Sequence, residues 1–167
     1  MALALRAFVV DLTIVRGRSM MPGASDGDLA LYCKAAYGLA KPFGDGYVLR
    51  WRDPEPGEAV VALAQGRPRR RALKRVFETG PAFVRLEDGV WKARGGEIAP
   101  APGSPSSSRL SFYVPPGEAF LAGDNPEASY DSRHYGPVPI ENIVGKVLLY
   151  IPNPAGVFVR RREPGDR

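Results

Sequence analysis

The sequence predicts a mainly antiparallel β fold in one ordinary globular domain. Three observations carry that expectation. The 167 residues, with 44% hydrophobic content, suffice for one core and not two. The 19 glycines and 17 prolines are many for this length. Between them lie short runs rich in Val, Leu, Phe and Tyr, the pattern of strands and turns rather than of a helical bundle.

In chain order, AFVVDLTIV (7 to 15) is β-branched and apolar, and GDLALYCKAAYG, after a Met-Pro turn, is a second apolar run ending in glycine. Both read as strands. GYVLRW (46 to 51), AVVALA (59 to 64) and ALKRVFE (72 to 78) continue the series, separated by DPEPGE and GRPRRR. FVRLEDGVWKA (83 to 93) carries Asp-Gly between two short runs and reads as a hairpin. GGEIAPAPGSPSSS (95 to 108) is low in complexity, is expected to bury little, and reads as the loop of an insertion. SFYVPPGEAFLAGDN (111 to 125) and IVGKVLLYI (143 to 151) complete the strands, and RRREPGDR reads as a solvated basic tail. The expected organisation is a catalytic core of residues 1–79 and 111–159, an insertion at 80–110 and a tail at 160–167.

The net charge of +5 and pI near 9.6 suit an acidic partner, whether nucleic acid or an anionic lipid surface, without choosing between them. A single cysteine, Cys33, excludes an internal disulfide and a multi-cysteine metal site. With one histidine, His134, no zinc catalyst is expected, nor any other metal or cofactor. Chemistry must come from Ser, Lys, Asp or Glu. No run reaches the roughly 18 apolar residues of a membrane span. The nearest, ALALRAFVV, is interrupted by Arg6 and reads as the end of an apolar segment rather than as a signal peptide.

Three stretches stand out. In GRSMMPG, Ser19 precedes two thioethers and a proline, a setting unlike a helix cap or an ordinary turn. A serine hydroxyl needs a base before it can act as a nucleophile. His134, in SRHYG, carries no mark of that role; a lysine serves only if burial lowers its pKa. In ALKRVF, alternation puts Lys74 on one strand face with Ala72 and Val76, and Arg75 on the other with Leu73 and Phe77. Periodicity leaves open which cation is buried, and chemistry favours Lys74, because arginine does not give up its proton. The third stretch, GDNPEASYDSRHYGPVP (123 to 139), is dense in short hydrogen-bonding side chains and turn formers and suits a rigid loop.

Together, VRGRSMMPG, ALKRV and VPPGEAFLAGDNPEASYDSRHYGPVPIENIVGKV resemble the bacterial type I signal peptidases, Ser/Lys endopeptidases of family S26, in order and spacing. The resemblance covers most of residues 5 to 151 outside the insertion. It implies a LexA/signal-peptidase type antiparallel β core with a small β/loop insertion. It also implies Ser19 as nucleophile, with its own N–H as an oxyanion donor, and Lys74 as general base. Ser129 would orient the lysine, Asp131 and Arg133 would form a supporting buried ion pair, and Met20 and Met21 would line the substrate pocket. The implied substrates are signal peptides of exported preproteins, cut after Ala-x-Ala. The implied place is the outer face of the bacterial cytoplasmic membrane, against lipid, as a monomer whose membrane-spanning segment is not in this chain.

Four features depart from the family pattern: Gly17 where some members carry a hydroxyl, ETGPA after the lysine stretch, Asn-Pro-Glu-Ala at 125 to 128, and the missing span. A specialised maturation peptidase of a conjugation or secretion system is the alternative within the class. RPRRRALKR supports a rival of another class, a nucleic-acid-binding module, but no aromatic interleaving or nucleic-acid motif backs it, and no nucleic-acid partner is expected.

Overall fold

A computed structural model describes residues 9–41, 46–63, 71–104 and 111–153. Thirteen strands lie within them: β1 (Val10–Ile14), β2 (Leu29–Cys33), β3 (Gly38–Ala40), β4 (Tyr47–Arg50), β5 (Ala59–Leu63), β6 (Arg71–Thr79), β7 (Ala82–Glu87), β8 (Val90–Ala93), β9 (Gly96–Ile98), β10 (Ser111–Val114), β11 (Glu118–Ala122), β12 (Val138–Pro139) and β13 (Ile143–Ile151). They form a seven-stranded sheet in the order β1-β2-β13-β5-β6-β11-β12, a four-stranded sheet β10-β7-β8-β9, and a ribbon β3-β4. Every pairing is antiparallel, so the fold class is mainly antiparallel β, as the sequence predicts.

The central strands read as continuous apolar runs because both of their faces are covered. On β5, Val60 and Ala62 pack into one cluster with Val76, Leu121 and Ile143, while Val61 packs into another with Val15, Tyr32 and Leu73. A third cluster joins the two sheets through Phe77, Trp91, Phe112 and Phe120, with ring centroids 5.2 to 6.1 Å apart. Burial of each such side chain stabilises the fold by about 1.5–3 kcal/mol. The Asp-Gly hairpin forms as predicted: Asp88 (φ 52°) and Gly89 (φ 78°) turn the chain between Glu87 and Val90, which face each other across β7 and β8.

Several details differ from the sequence reading. The run after Gly27 is a strand only to Cys33; Lys34–Ala36 then form a 3-10 turn, and the next residues start the ribbon. Tyr37, which shows no core periodicity, is fully buried and donates to Glu58 at 2.7 Å. The low-complexity stretch is less loop-like than expected. It contributes β9, buries Ala101 and Ser104, and offers the Ala99 carbonyl to Arg133 at 2.7 Å. A backbone carbonyl there accepts from a buried cation, a role composition does not reveal. Strand β10, at 111–114, belongs to the small sheet rather than to the large one. The basic run 67–70 and the tail 160–167 lie outside the described residues.

Candidate active site

The cleft is built where β1 and the central hairpin β5-β6 converge. Ser19 follows β1 on a loop held at several points. Gly17 donates to Asp26 at 2.6 Å, Met21 to Arg18 at 3.2 Å and Ala24 to Met20 at 2.9 Å. The Met20 side chain anchors the loop in the core beside Val15 and Ala24. Gly17 has φ +78°, the left-handed region, so the position where a hydroxyl was the alternative has a backbone that suits glycine. The Ser19 N–H and hydroxyl make no hydrogen bond among the described residues.

The structure resolves the alternation on β6. Lys74 pairs with Val60 and points to that strand's inner face, leaving it 6% exposed. Arg75 points the other way and grips Asp124 through two bonds of 2.7 and 2.6 Å. Burial pushes the Lys74 amine below the ordinary lysine range.

The stretch 123 to 135 closes the cleft. Ser129 Oγ donates to Asp131 at 2.5 Å and accepts from the Lys74 amine at 3.0 Å. Asp131 and Arg133 are both fully buried and paired at 2.6 Å. Burial alone would raise the Asp131 carboxyl, but the Arg133 guanidinium, Ser129 and the Gly123 N–H hold it below the usual carboxylate range. Asp131 also caps the short helix Ser132–Tyr135, accepting from the Arg133 N–H. His134 completes that cap, with Nδ1 3.3 Å from the Asp131 backbone N, and lies outside the cleft lining.

Ser19, Lys74, Leu73, Leu121 and Val138 line one open cleft of about 490 Å³. Ser129 reaches it through Lys74. Of the two methionines expected in the substrate pocket, neither lines the cleft: Met20 is buried in the core and Met21 is exposed.

Residues 123 to 125 tie these parts together, a function the sequence reading did not assign. Asn125 donates its backbone N–H to the Ser19 carbonyl at 2.9 Å and its side-chain amide to the Arg18 carbonyl at 3.1 Å. At Gly123, a Cβ would overlap Ser129 and stand 2.7 Å from the Ser19 carbonyl. Only a residue without a side chain lets the serine loop and the Ser129 loop approach this closely.

The chain matches the family model "Signal peptidase, peptidase S26" over residues 1–151. It is 28% identical to signal peptidase I of Pseudomonas fluorescens over 187 aligned residues, which cover 87% of this chain and 66% of that protein. To signal peptidase I of Bacillus caldolyticus it is 27% identical, covering 86% of this chain and 80% of that one. To the mitochondrial ATP-independent inner membrane protease subunit 1a of Arabidopsis thaliana it is 32% identical, covering 86% and 71%. The chain thus spans just under two thirds of the length of the Pseudomonas protein. Scaffold and matches together define the class as that of the peptidases. The chain belongs to the signal peptidase family, peptidase S26.

Proposed function

We propose that this protein is a serine endopeptidase that removes signal peptides from exported preproteins, with Ser19 as nucleophile and Lys74 as general base. One observation carries the reading: a lysine amine depressed by burial and bonded to Ser129 shares a cleft with a serine whose hydroxyl is unengaged among the described residues.

The Ser129 proton is committed to Asp131, so its oxygen accepts from Lys74 and fixes the amine. A neutral amine then has a lone pair left to take the Ser19 proton as Oγ attacks the scissile carbonyl. The Ser19 N–H is free to donate to the developing oxyanion. The ammonium formed on Lys74 passes its proton to the leaving amine. Water, deprotonated by the same lysine, then attacks the ester carbonyl and releases Ser19. An extended substrate beside β1 and β6 fits the cleft, whose small residues Ala62, Ala72 and Ala128 suit recognition of alanine side chains. Asp131 and Arg133 support the Ser129 loop.

The supporting partner is a lipid surface, and the place is the outer face of the bacterial cytoplasmic membrane. No helix among the described residues is long and apolar enough to cross a membrane. The deciding experiment is cleavage of a purified preprotein with an Ala-x-Ala site. Ser19→Ala and Lys74→Arg are expected to abolish cleavage while keeping the wild-type circular dichroism spectrum. Cleavage by either variant overturns the assignment of that residue.

A further inference from the structure

The cleft wall carries a charge pattern that the proposed chemistry does not use. Besides the proposed base Lys74, its basic side chains are Arg16 and Arg71, and no carboxylate lines it among the described residues. Arg16 makes no ion pair among the described residues. Arg71 donates to the Tyr32 hydroxyl at 2.6 Å and lies 4.0 Å from Asp11, a carboxylate it shares with Lys34 at 3.8 Å. One carboxylate thus faces Arg71 and Lys34 and leaves Arg16 uncompensated.

The positions of these arginines are matched. Arg16 stands three residues before Ser19, and Arg71 three residues before Lys74. Four successive antiparallel pairings separate β1 from β6, so the two strands run the same way toward the reacting groups. At about 3.3 Å per strand residue, Arg71 begins roughly 10 Å from the Lys74 position, the length of three extended residues. Both arginines line the same cleft, so a substrate strand lying between β1 and β6 passes Arg16 on one side and Arg71 on the other, two to four residues from the scissile bond. Arginine is the cation best matched to a carboxylate, because its planar fork offers paired donors.

We infer that this cleft selects substrates carrying an aspartate or glutamate two to four residues from the cut, read by Arg16 and Arg71. The inference rests on the peptidase reading for the identity of the scissile bond. Its energetic basis does not depend on turnover.

The test measures binding and cleavage separately. Fluorescein-labelled Ala-x-Ala peptides with Glu, Gln or Lys scanned through the four positions on either side of the cut are titrated against the Ser19→Ala protein by anisotropy. At one position, Glu is expected to bind about fivefold more tightly than Gln, and Lys more weakly, as for a partly exposed ion pair. The gap narrows on going from 0.1 M to 0.5 M salt, as an about twofold shorter screening length requires. In the active enzyme the same gap appears in KM rather than kcat. Arg16→Gln, whose side chain is exposed and holds no partner among the described residues, reduces the preference without changing the melting temperature; adding Arg71→Gln removes it. Equal affinity for the three peptides at every position overturns the inference, as does a Glu preference unchanged in the double variant. If the double variant loses adsorption to phosphatidylglycerol vesicles while its peptide preference persists, the arginines read lipid and the inference falls. A Glu preference in an enzyme that cleaves none of the peptides supports the inference and overturns the peptidase reading instead.

Discussion

The Lys74 amine and the Ser129 hydroxyl, 55 residues apart in sequence, meet at 3.0 Å in the buried wall of the cleft. Because Ser129 is itself fixed by Asp131 at 2.5 Å, the amine is held by a chain of two hydrogen bonds rather than by packing alone. Ser129→Ala frees the amine to rotate, and kcat is expected to fall by about a hundredfold, the scale of general acid–base catalysis. Single-turnover cleavage against a melting curve checks this, since a loss of activity without a comparable loss of stability marks positioning.

Lys74 also fixes the pH behaviour. Its pKa in the folded protein is lowered by burial, so between that value and the ordinary lysine pKa of about 10.4 the unfolded chain binds more protons than the folded one. Stability therefore rises with pH through this window. With Lys74 as the proposed base, activity is expected to rise with it, as the neutral amine accumulates. Lys74→Met removes the buried charge: it is expected to melt above the wild type at neutral pH, with the gap closing toward pH 10, and to be inactive throughout. Calorimetry across pH reads both effects.

These two residues illustrate what the sequence made legible. Alternation along ALKRVF left Lys74 and Arg75 on opposite faces without saying which is buried. The answer came from the neighbouring strand, where Val60 faces Lys74, and from Asp124, which draws Arg75 to the edge. Strand positions were readable because turn residues bracket them. The clamp of Asn125 on the serine loop was not, because it spans 107 residues and depends on how two loops meet. Met20 was read by its neighbourhood to Ser19, yet the loop's turn sends its side chain into the core.

Arg133 and Asp131 form a pair with no access to water, and breaking such a pair strands a charge. Arg133→Met is expected to destabilise the fold by about 3–5 kcal/mol. In the wild type the Asp131 carboxyl, held below its usual range, contributes stability above the unfolded aspartate pKa near 3.9. That contribution is lost as pH falls through the folded value. Urea titrations of both proteins at pH 7 and in steps below the unfolded aspartate pKa of about 3.9 measure the difference.

Two glycines beside Ser19 separate space from backbone. At Gly123 a methyl group collides with Ser129 and the Ser19 carbonyl, so Gly123→Ala is expected to cost about 1–3 kcal/mol and to lower kcat by about tenfold or more as the loops part. At Gly17 nothing lies within 4 Å of a Cβ, and only the positive φ opposes a side chain. Gly17→Ala is expected to cost about 1 kcal/mol and to leave the cleft intact. Parallel melts and kinetics of the two variants distinguish these causes.

The outer face of β1, β2 and β13 is apolar across all three strands. Register places Leu12 opposite Leu31 and Leu31 opposite Leu149, with Leu29 between Ile14 and Ile151. Leu12 and Leu149 are each 46% exposed and Ile151 is 40% exposed. The ribbon adds Leu39, Val48, Leu49 and Trp51, all exposed. Of the large apolar side chains in AYGLAKPFG (36 to 44), Leu39 is among these, Tyr37 is buried, and Phe43 lies outside the described residues. An exposed apolar face of this kind suits the interface of a bilayer better than water, and β1 leads directly from it to Ser19. Binding to vesicles of phosphatidylcholine with phosphatidylglycerol is therefore expected, and it should survive high salt because its basis is apolar. Leu12→Ser with Leu149→Ser forfeits about 1 kcal/mol at each half-exposed leucine, or about a thirtyfold weaker partition together. Sedimentation with vesicles is the measurement. Partition that is unchanged in the double variant would place lipid contact elsewhere, and binding abolished by salt alone would assign it to charge.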